Sequence, residues 1–158
     1  MLELLSNIDL KYLYNKFNIP INDILNKDLF DSITPVKGNY IINLQDSDDG
    51  NGTHWVGLII QLKFVIYYDS FGFSIPNDII NFIYRYNKNS KIIYSTDQIQ
   101  HKYSILCGWY VLYFHYLFNN KKQYDYKRLL NLHNSLFNLS NRILNDKILQ
   151  NLITNINK

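Results

Sequence analysis

The stretch from Cys107 to Phe118 constrains the fold of this chain more than any other. It reads CGWYVLYFHYLF, and it is apolar or aromatic on every side. A helix with this pattern must be packed all round, so the stretch predicts a buried central helix. Ser104 is its predicted N-cap. The thiol of Cys107 then lies in the first turn, where unpaired backbone N–H groups and the positive end of the helix dipole favour the thiolate.

Cys107 is the one cysteine of the sequence, and two interpretations fit it. A lone cysteine is often a small buried hydrophobe. A cysteine at the start of a helix is also a candidate nucleophile. A single thiol can form neither an internal disulfide framework nor a zinc site built from several cysteines, so a free thiol is predicted, compatible with a reducing compartment.

The composition limits the number of domains and the kinds of partner that this chain is expected to have. With 158 residues, of which 47% are hydrophobic, the chain is predicted to form one domain over residues 1–158. Its net charge of +3 is too small and too diffuse to indicate nucleic acid as a partner. No apolar run is long enough to span a membrane, and the first residues carry acids without a leading basic region. Neither a membrane span nor a signal peptide is therefore predicted.

The first third of the chain predicts two helices and then a strand. Apolar residues recur at helical spacing after Asn7, and again over residues 21–29, with Asn22 as a cap. Residues 40–44, YIINL, have the composition of a short strand.

The acidic segment QDSDDGNG, residues 45–52, predicts a solvated loop. Its three aspartates resemble a calcium-binding loop only superficially. The acids and glycines do not have the EF-hand spacing, and no glutamate closes the segment. The sequence therefore predicts no metal site.

Two strand-like runs follow, THWVGLII over residues 53–60 and FVIYYD over residues 64–69, and they predict a hairpin. With the turn centred directly after Gln61, His54 lies opposite Asp69, and such partners have Cβ atoms about 4.5–5.5 Å apart. The turn lacks the Asn-Gly or Gly of a tight hairpin, so the register can shift and make the pair diagonal. Either residue alone also fits a structural role, as a histidine at a strand end or an acid that caps a turn.

The later segments predict elements that support this arrangement. They are a helix over residues 76–86, a buried strand over 91–94 and a helix within 139–156. His115 is predicted to be a core residue and His133 a surface residue, rather than metal ligands.

Together, a thiol at a helix start, an imidazole and a carboxylate are the parts of a nucleophilic hydrolase. Cys107 would attack, His54 would take its proton, and Asp69 would hold the imidazole in the right tautomer. Acyl transfer also needs donors for the developing oxyanion. Gln100, seven residues before Cys107, can supply a side-chain amide beside the backbone N–H of Cys107, and Gln98 is the competing candidate.

These motifs resemble the adenovirus-type maturation cysteine proteases, the adenain family, which are related to the Ulp1-like proteases of ubiquitin-like modifiers. The resemblance rests on the pair His54-Trp55, on the phrase DSFGF that begins at Asp69, and on the step from Gln100 to Cys107. The DSFGF motif and the spacing of seven residues between Gln100 and Cys107 favour the adenoviral branch.

The resemblance spans roughly residues 38–118 and implies an α+β fold. In it a central mixed or antiparallel sheet is packed by helices, and the catalytic cysteine begins a buried central helix. It implies Cys107 as nucleophile, His54 as general base and then acid, Asp69 as the residue that orients His54, and Gln100 as oxyanion donor. Asp69 stands where the family has Glu, and either carboxylate can accept from an imidazole N–H.

The resemblance also implies a biological role. It suggests a viral or mobile-element enzyme, for example of a virophage or Maverick-like element, that processes capsid or other structural precursors at Gly-containing sites. Such an enzyme would act in the virion and in the host-cell cytoplasm or virus factory. Two alternatives stay open: a protease that deconjugates a ubiquitin-like modifier, and a non-catalytic binding module on the same scaffold.

No cofactor is expected, and an activator is expected only as a non-covalent partner. The family enzyme is activated by a disulfide-linked peptide and by DNA, but such a disulfide here would consume Cys107. A cluster of basic residues at 121–128 offers a weak case for DNA, and a solvated helix start explains it better. The expected partner is thus a protein substrate, without a membrane.

Overall fold

The computed structural model describes residues 1–45, 54–121 and 125–156. The aspartates of the predicted acidic loop, and Lys122 of the basic cluster, lie outside the described residues. The regular elements of the described chain are α1 (Asn7–Lys16), β1 (Asp23–Asn26), β2 (Gly38–Asn43), β3 (Trp55–Ile60), β4 (Phe64–Tyr68), α2 (Asn77–Tyr86), β5 (Lys91–Ile93), α3 (Cys107–Asn120), α4 (Tyr126–Ser135) and α5 (Asn145–Ile156). Short 3-10 helices cover Lys27–Ser32 and Arg142–Leu144.

The five strands form one mixed sheet in the order β1-β2-β3-β4-β5. The central pairs β2–β3 and β3–β4 are antiparallel, and the two outer pairs are parallel. This sheet, with helices packed on it and Cys107 at the start of α3, confirms the predicted α+β fold.

The helix α3 packs against the central strand β3 and is buried nearly all round, as its sequence predicted. Gly57 of β3 makes the close approach possible. A Cβ atom at this position would lie 3.1 Å from Cγ1 of Val111 and 3.2 Å from Nε2 of His115. Burial lowers the pKa of His115 to about 3, so this core histidine is neutral, and its Nδ1 is 2.7 Å from the hydroxyl of Tyr14.

The opposite face of the sheet carries a second apolar cluster that includes α2. Alternate residues of β3 supply the two faces, because successive side chains of a strand point to opposite sides. Ile59 belongs to the α3 side, and Leu58 and Ile60 belong to the α2 side. Every residue of β3 is buried, so this strand fixes the position of α3 from the middle of the fold.

The prediction of a second helix over residues 21–29 is wrong. Residues 21–29 form strand β1 and the start of a 3-10 helix. Asn22 is not a helix cap, since its side-chain amide donates to Lys37 O at 2.9 Å and its backbone N–H donates to Asn39 O at 2.7 Å. Parallel pairing with β2 overrides the local helical spacing, because the strand gains hydrogen bonds from a distant segment.

Three other details differ from the predictions. Helix α3 begins at Cys107 with Leu106 as the N-cap, because the hydroxyl of Ser104 accepts from Leu106 N–H at 3.3 Å instead of capping a longer helix. His133 is fully buried, not on the surface, and its ring meets that of Tyr68 edge-on at 4.8 Å. Strand β5 is only partly buried. None of the described helices has the length and apolar character needed to cross a bilayer.

Replacing Gly57 with Ala should destabilise the fold by about 1–3 kcal/mol. The added methyl group meets Val111 on one side and the ring of His115 on the other, and Tyr14 restrains that ring. Urea unfolding measures the change, with Leu62→Ala in the exposed β3–β4 turn as a control expected to cost less than about 0.5 kcal/mol. Equal stability of Gly57→Ala and wild type would contradict the close packing of α3 on β3.

Candidate active site

The thiol of Cys107 lies on the first residue of α3, beside the start of β3. Its sulfur accepts a hydrogen bond from the backbone N–H of Trp55 at 3.4 Å. The N–H groups of Trp109 and Tyr110 donate to Leu106 O, at 2.9 and 3.1 Å. The N–H of Cys107 precedes these and has no helical carbonyl to donate to, because the first N–H groups of a helix lack intrahelical acceptors. The helix start thus presents a donor beside a sulfur atom.

His54 and Asp69 form a hydrogen bond of 2.7 Å between Nε2 and Oδ1. The register of the hairpin differs from the predicted one, since Gly57 pairs with Tyr68 and Gln61 N–H closes the turn to Phe64 O at 2.9 Å. This shift of two positions makes the pair diagonal. The two side chains still share a face, because only an odd shift would turn one of them to the other side.

Asp69 is held by the turn that follows it. Its Oδ1 also accepts from the N–H of Phe71 at 2.8 Å, and the ring of Phe71 lies 4.8 Å from the imidazole of His54. Gly72 has a φ of +72°, and a Cβ there would lie 2.5 Å from Thr96 O. The DSFGF turn therefore needs glycine at this position, and it packs an aromatic ring against His54.

The proton on His54 is stabilised by its neighbours. Burial lowers the pKa of His54, but the hydrogen bond and charge of Asp69, together with the nearby sulfur of Cys107, outweigh it and raise the pKa to about 9. The imidazole therefore carries a positive charge at neutral pH. Because Nε2 bonds Asp69, the other nitrogen, Nδ1, is the one left for Cys107.

The contact between His54 and Cys107 is looser than the bond to Asp69. Within the described residues, Nδ1 of His54 has no hydrogen-bond partner of standard geometry. Catalytic hydrogen bonds are often long before substrate binds, so this geometry suits a resting site. The His54 side chain is 12% exposed and Cys107 is 3% exposed, so both groups lie at the edge of the core with little access to water.

Gln100 is fully buried, and both the nitrogen and the oxygen of its side-chain amide are hydrogen-bonded. Its Nε2 donates to the carbonyl of Ser104 at 2.8 Å and contacts the Ser104 hydroxyl at 3.2 Å, while its Oε1 accepts from Ser70 Oγ at 2.6 Å. The competing Gln98 donates from its own Nε2 to Gln100 O at 3.1 Å. Both predicted oxyanion amides thus bond to the loop itself in this structure.

The segment before α1 lies near the site, although no motif of the sequence includes its residues. The indole N–H of Trp55 donates to Leu5 O at 3.0 Å, and that of Trp109 donates to Glu3 O at 2.8 Å. Leu5 also packs on Gly108, where a Cβ would lie 3.3 Å from the Leu5 Cβ. The segment before α1 therefore covers the side of the helix start. Only the two tryptophans beside His54 and Cys107 could have signalled this contact.

The described residues contain no group of three or more His, Cys, Asp or Glu side chains placed to hold a metal ion. What they bring together is His54 and Asp69 in direct contact, with the sulfur of Cys107 next to the strand that follows His54. This set can transfer protons and form a covalent bond through sulfur.

Solved structures of a viral protease share this fold. The crystal structure of the ASFV pS273R protease matches with a TM-score of 0.55 and 18% sequence identity, over 94% of this chain and 65% of that chain. Its selenomethionine form matches with a TM-score of 0.55 and 17% identity, over 94% of this chain and 66% of that chain. The chain thus spans less than two-thirds of the ASFV protein. No protein-family model and no curated protein sequence matches the chain.

At this level of identity the likeness shows a common fold. The adenoviral branch stays a prediction, since the matched protein comes from ASFV. The catalytic roles of His54, Asp69, Gln100 and Cys107 also stay predictions.

The raised pKa of His54 should make stability depend on pH. His54 contributes most below pH 6.5, where its imidazole is protonated in both states, and loses that contribution as pH rises to about 9. The difference in free energy of unfolding between wild type and His54→Gln should therefore shrink across this window. Urea unfolding at several pH values measures it. A difference that stays constant from pH 6 to pH 10 would contradict the charged His54–Asp69 pair.

Proposed function

We propose that this chain is a cysteine protease in which Cys107 is the nucleophile, His54 the general base and acid, and Asp69 the residue that orients His54. The observation that carries the proposal is the 2.7 Å bond between His54 and Asp69, with the sulfur of Cys107 next to the backbone of Trp55. The shared fold with a viral protease supports it.

The chemistry follows from these positions. With the proton on His54, the thiolate of Cys107 attacks the carbonyl carbon of the scissile peptide bond. The carbonyl oxygen becomes an oxyanion, and Nδ1–H of His54 gives its proton to the leaving amine as the C–N bond breaks. A thioester on Cys107 results. His54 then takes a proton from water, which attacks the thioester, and the carboxylic acid leaves with the sulfur restored as a thiolate beside imidazolium.

Asp69 keeps its negative charge throughout these steps. Its bond to Nε2 holds the imidazole so that Nδ1 faces the sulfur, and its charge stabilises the imidazolium. The N–H of Phe71 donates to the same Oδ1 atom at 2.8 Å. The carboxylate therefore cannot turn away from the ring without losing a second hydrogen bond.

The oxyanion needs donors that are in place before the reaction. The backbone N–H of Cys107 at the start of α3 is the first proposed donor. Gln100 is the proposed side-chain donor, and in that role its Nε2 would exchange a bond to Ser104 for one to the oxyanion. Gln98 is the alternative amide.

The substrate is proposed to be a protein. The motif resemblance to adenovirus-type enzymes, together with the viral source of the matched structure, favours capsid or other structural precursors cut at Gly-containing sites. The enzyme would need no cofactor, and a peptide or DNA activator would bind without a covalent link. It would act in virions and in the host-cell cytoplasm or virus factory, as an enzyme of a virus, virophage or related element.

Replacing Cys107 with Ala or Ser should abolish cleavage of a Gly-Gly-containing peptide or of a co-encoded capsid precursor. His54→Gln should do nearly the same, and Asp69→Asn should lower kcat by about 100-fold or more, because the imidazole loses its orienting acceptor. Chromatographic assay of the products measures each rate, and circular dichroism checks that the variants fold. Undiminished turnover by Cys107→Ala would reject the protease.

A probe that carries a ubiquitin-like modifier with a C-terminal electrophile separates the alternatives. A precursor-processing enzyme should cleave its substrate and leave the probe unreacted. Labelling of Cys107 by the probe, without precursor cleavage, would assign the chain to the deconjugating proteases. A binding module would show neither activity.

A further inference from the structure

The segment over residues 142–146, which contains a short 3-10 helix and the start of α5, bonds to the loop over residues 94–106 that leads into α3. The sequence predicted only a closing helix for this part of the chain, but three of its side chains reach the loop. The contacts are Arg142 Nε to Gln98 O at 2.7 Å, Asn145 Nδ2 to Ile99 O at 2.8 Å, and Ser104 Oγ to Asp146 Oδ1 at 2.9 Å. The loop that carries Gln100 is thus bonded to this segment on both sides of Gln100.

Asp146 differs from the other two because it bonds α3 as well as the loop. Its Oδ1 also accepts from the hydroxyl of Tyr110 at 3.0 Å, one turn after Cys107. Burial, and then the charge of Asp146, raise the pKa of Tyr110 well above its usual value, so the phenol stays protonated and donates. One carboxylate oxygen therefore joins the loop before α3 to the first turns of the helix.

The carboxylate of Asp146 also determines where the proton of the Ser104 hydroxyl points. A hydroxyl has one proton, and a carboxylate can only accept, so the proton of Ser104 points to Asp146. The lone pairs of the Ser104 oxygen then face two donors, Nε2 of Gln100 at 3.2 Å and the backbone N–H of Leu106 at 3.3 Å. By accepting the proton of Ser104, Asp146 leaves the Ser104 oxygen to accept from both Gln100 and Leu106.

The same network fixes the amide of Gln100. Its nitrogen must face the carbonyl of Ser104, since a carbonyl cannot donate, and its oxygen then accepts from Ser70 Oγ at 2.6 Å. The backbone carbonyl of Ser70 accepts from the N–H groups of Ile99 and Gln100, at 2.9 and 2.8 Å. Ser70 directly follows Asp69, so the network links the residue proposed to orient His54, through Gln100, to Asp146.

We propose that Asp146 is a positioning residue of the candidate active site. It fixes Ser104, and through Ser104 it holds the two proposed oxyanion donors, the amide of Gln100 and the backbone N–H of Cys107. The carboxylate itself does not touch the reacting atoms. This inference rests on the proposed protease function, and it makes α5 part of the catalytic scaffold.

Asp146→Ala should lower kcat for peptide cleavage by about 10- to 100-fold and change KM less than about twofold, because the donors matter most when the oxyanion forms. Asp146→Asn, which keeps an acceptor oxygen for Ser104 and Tyr110, should recover most of the lost kcat. Lys147→Ala changes the next, exposed residue of α5 and should match wild type. A kcat for Asp146→Ala within twofold of wild type would overturn the inference.

A double-mutant cycle tests whether Asp146 acts through Ser104. Asp146→Ala combined with Ser104→Ala should lose little more kcat than the larger single loss, because both break one network. Fully additive losses would overturn the inference. If Asp146→Ala does not fold, Ser104→Ala alone decides: a selective loss of kcat supports the network, and wild-type kcat overturns it.

A measurement without catalysis separates this inference from the proposed function. Backbone amide exchange over residues 100–107 should speed up in Asp146→Ala and stay near wild type in Lys147→Ala. Unchanged exchange would overturn the positioning role even in an active enzyme. Complete inactivity of wild type towards peptides would instead overturn the protease proposal, and amide exchange would still report on the network.

Discussion

The close packing of α3 on β3 is the constraint on which the site depends. Gly57 leaves no side chain between the strand and the helix, so Val111 and His115 lie directly against the sheet. This contact sets the position of the helix on the strand. The first helical residue, Cys107, therefore lies beside Trp55 at the start of the strand, with its sulfur 3.4 Å from that backbone nitrogen.

The protonation of His54 depends on two opposing effects, burial of the imidazole and its pairing with charged neighbours. An imidazole that is 12% exposed would normally be kept neutral by desolvation. Asp69, held by the N–H of Phe71, and the sulfur of Cys107 reverse that tendency, so His54 keeps its proton. His115 and His133 show the opposite outcome, because burial is the largest effect on each and lowers the pKa to about 3 and about 4. The neighbours, more than the depth of burial, distinguish the candidate catalytic histidine.

The motif resemblance implied the fold class, and the local patterns of two strands predicted that His54 and Asp69 lie close together. The predicted register was wrong by two positions, but an even shift keeps both side chains on one face of the sheet. The predicted proximity of His54 and Asp69 was therefore still correct. The strand β1 was missed because its hydrogen bonds come from β2, which no local pattern around residues 21–29 encodes. The contacts of Asp146 were missed for the same reason, since no motif links α5 to the loop before Cys107.

Cross-linking of Cys107 to His54 by 1,3-dibromoacetone tests the central claim most directly. This short reagent alkylates a reactive thiol and then a nitrogen within reach of it. The account predicts one intramolecular cross-link, found by mass spectrometry between the peptides that hold Cys107 and His54, and its loss in His54→Gln. Two results would contradict a site in which sulfur and imidazole face each other. In one, the reagent is bound to Cys107 and its second reactive end is hydrolysed; in the other, that end is linked to a residue other than His54.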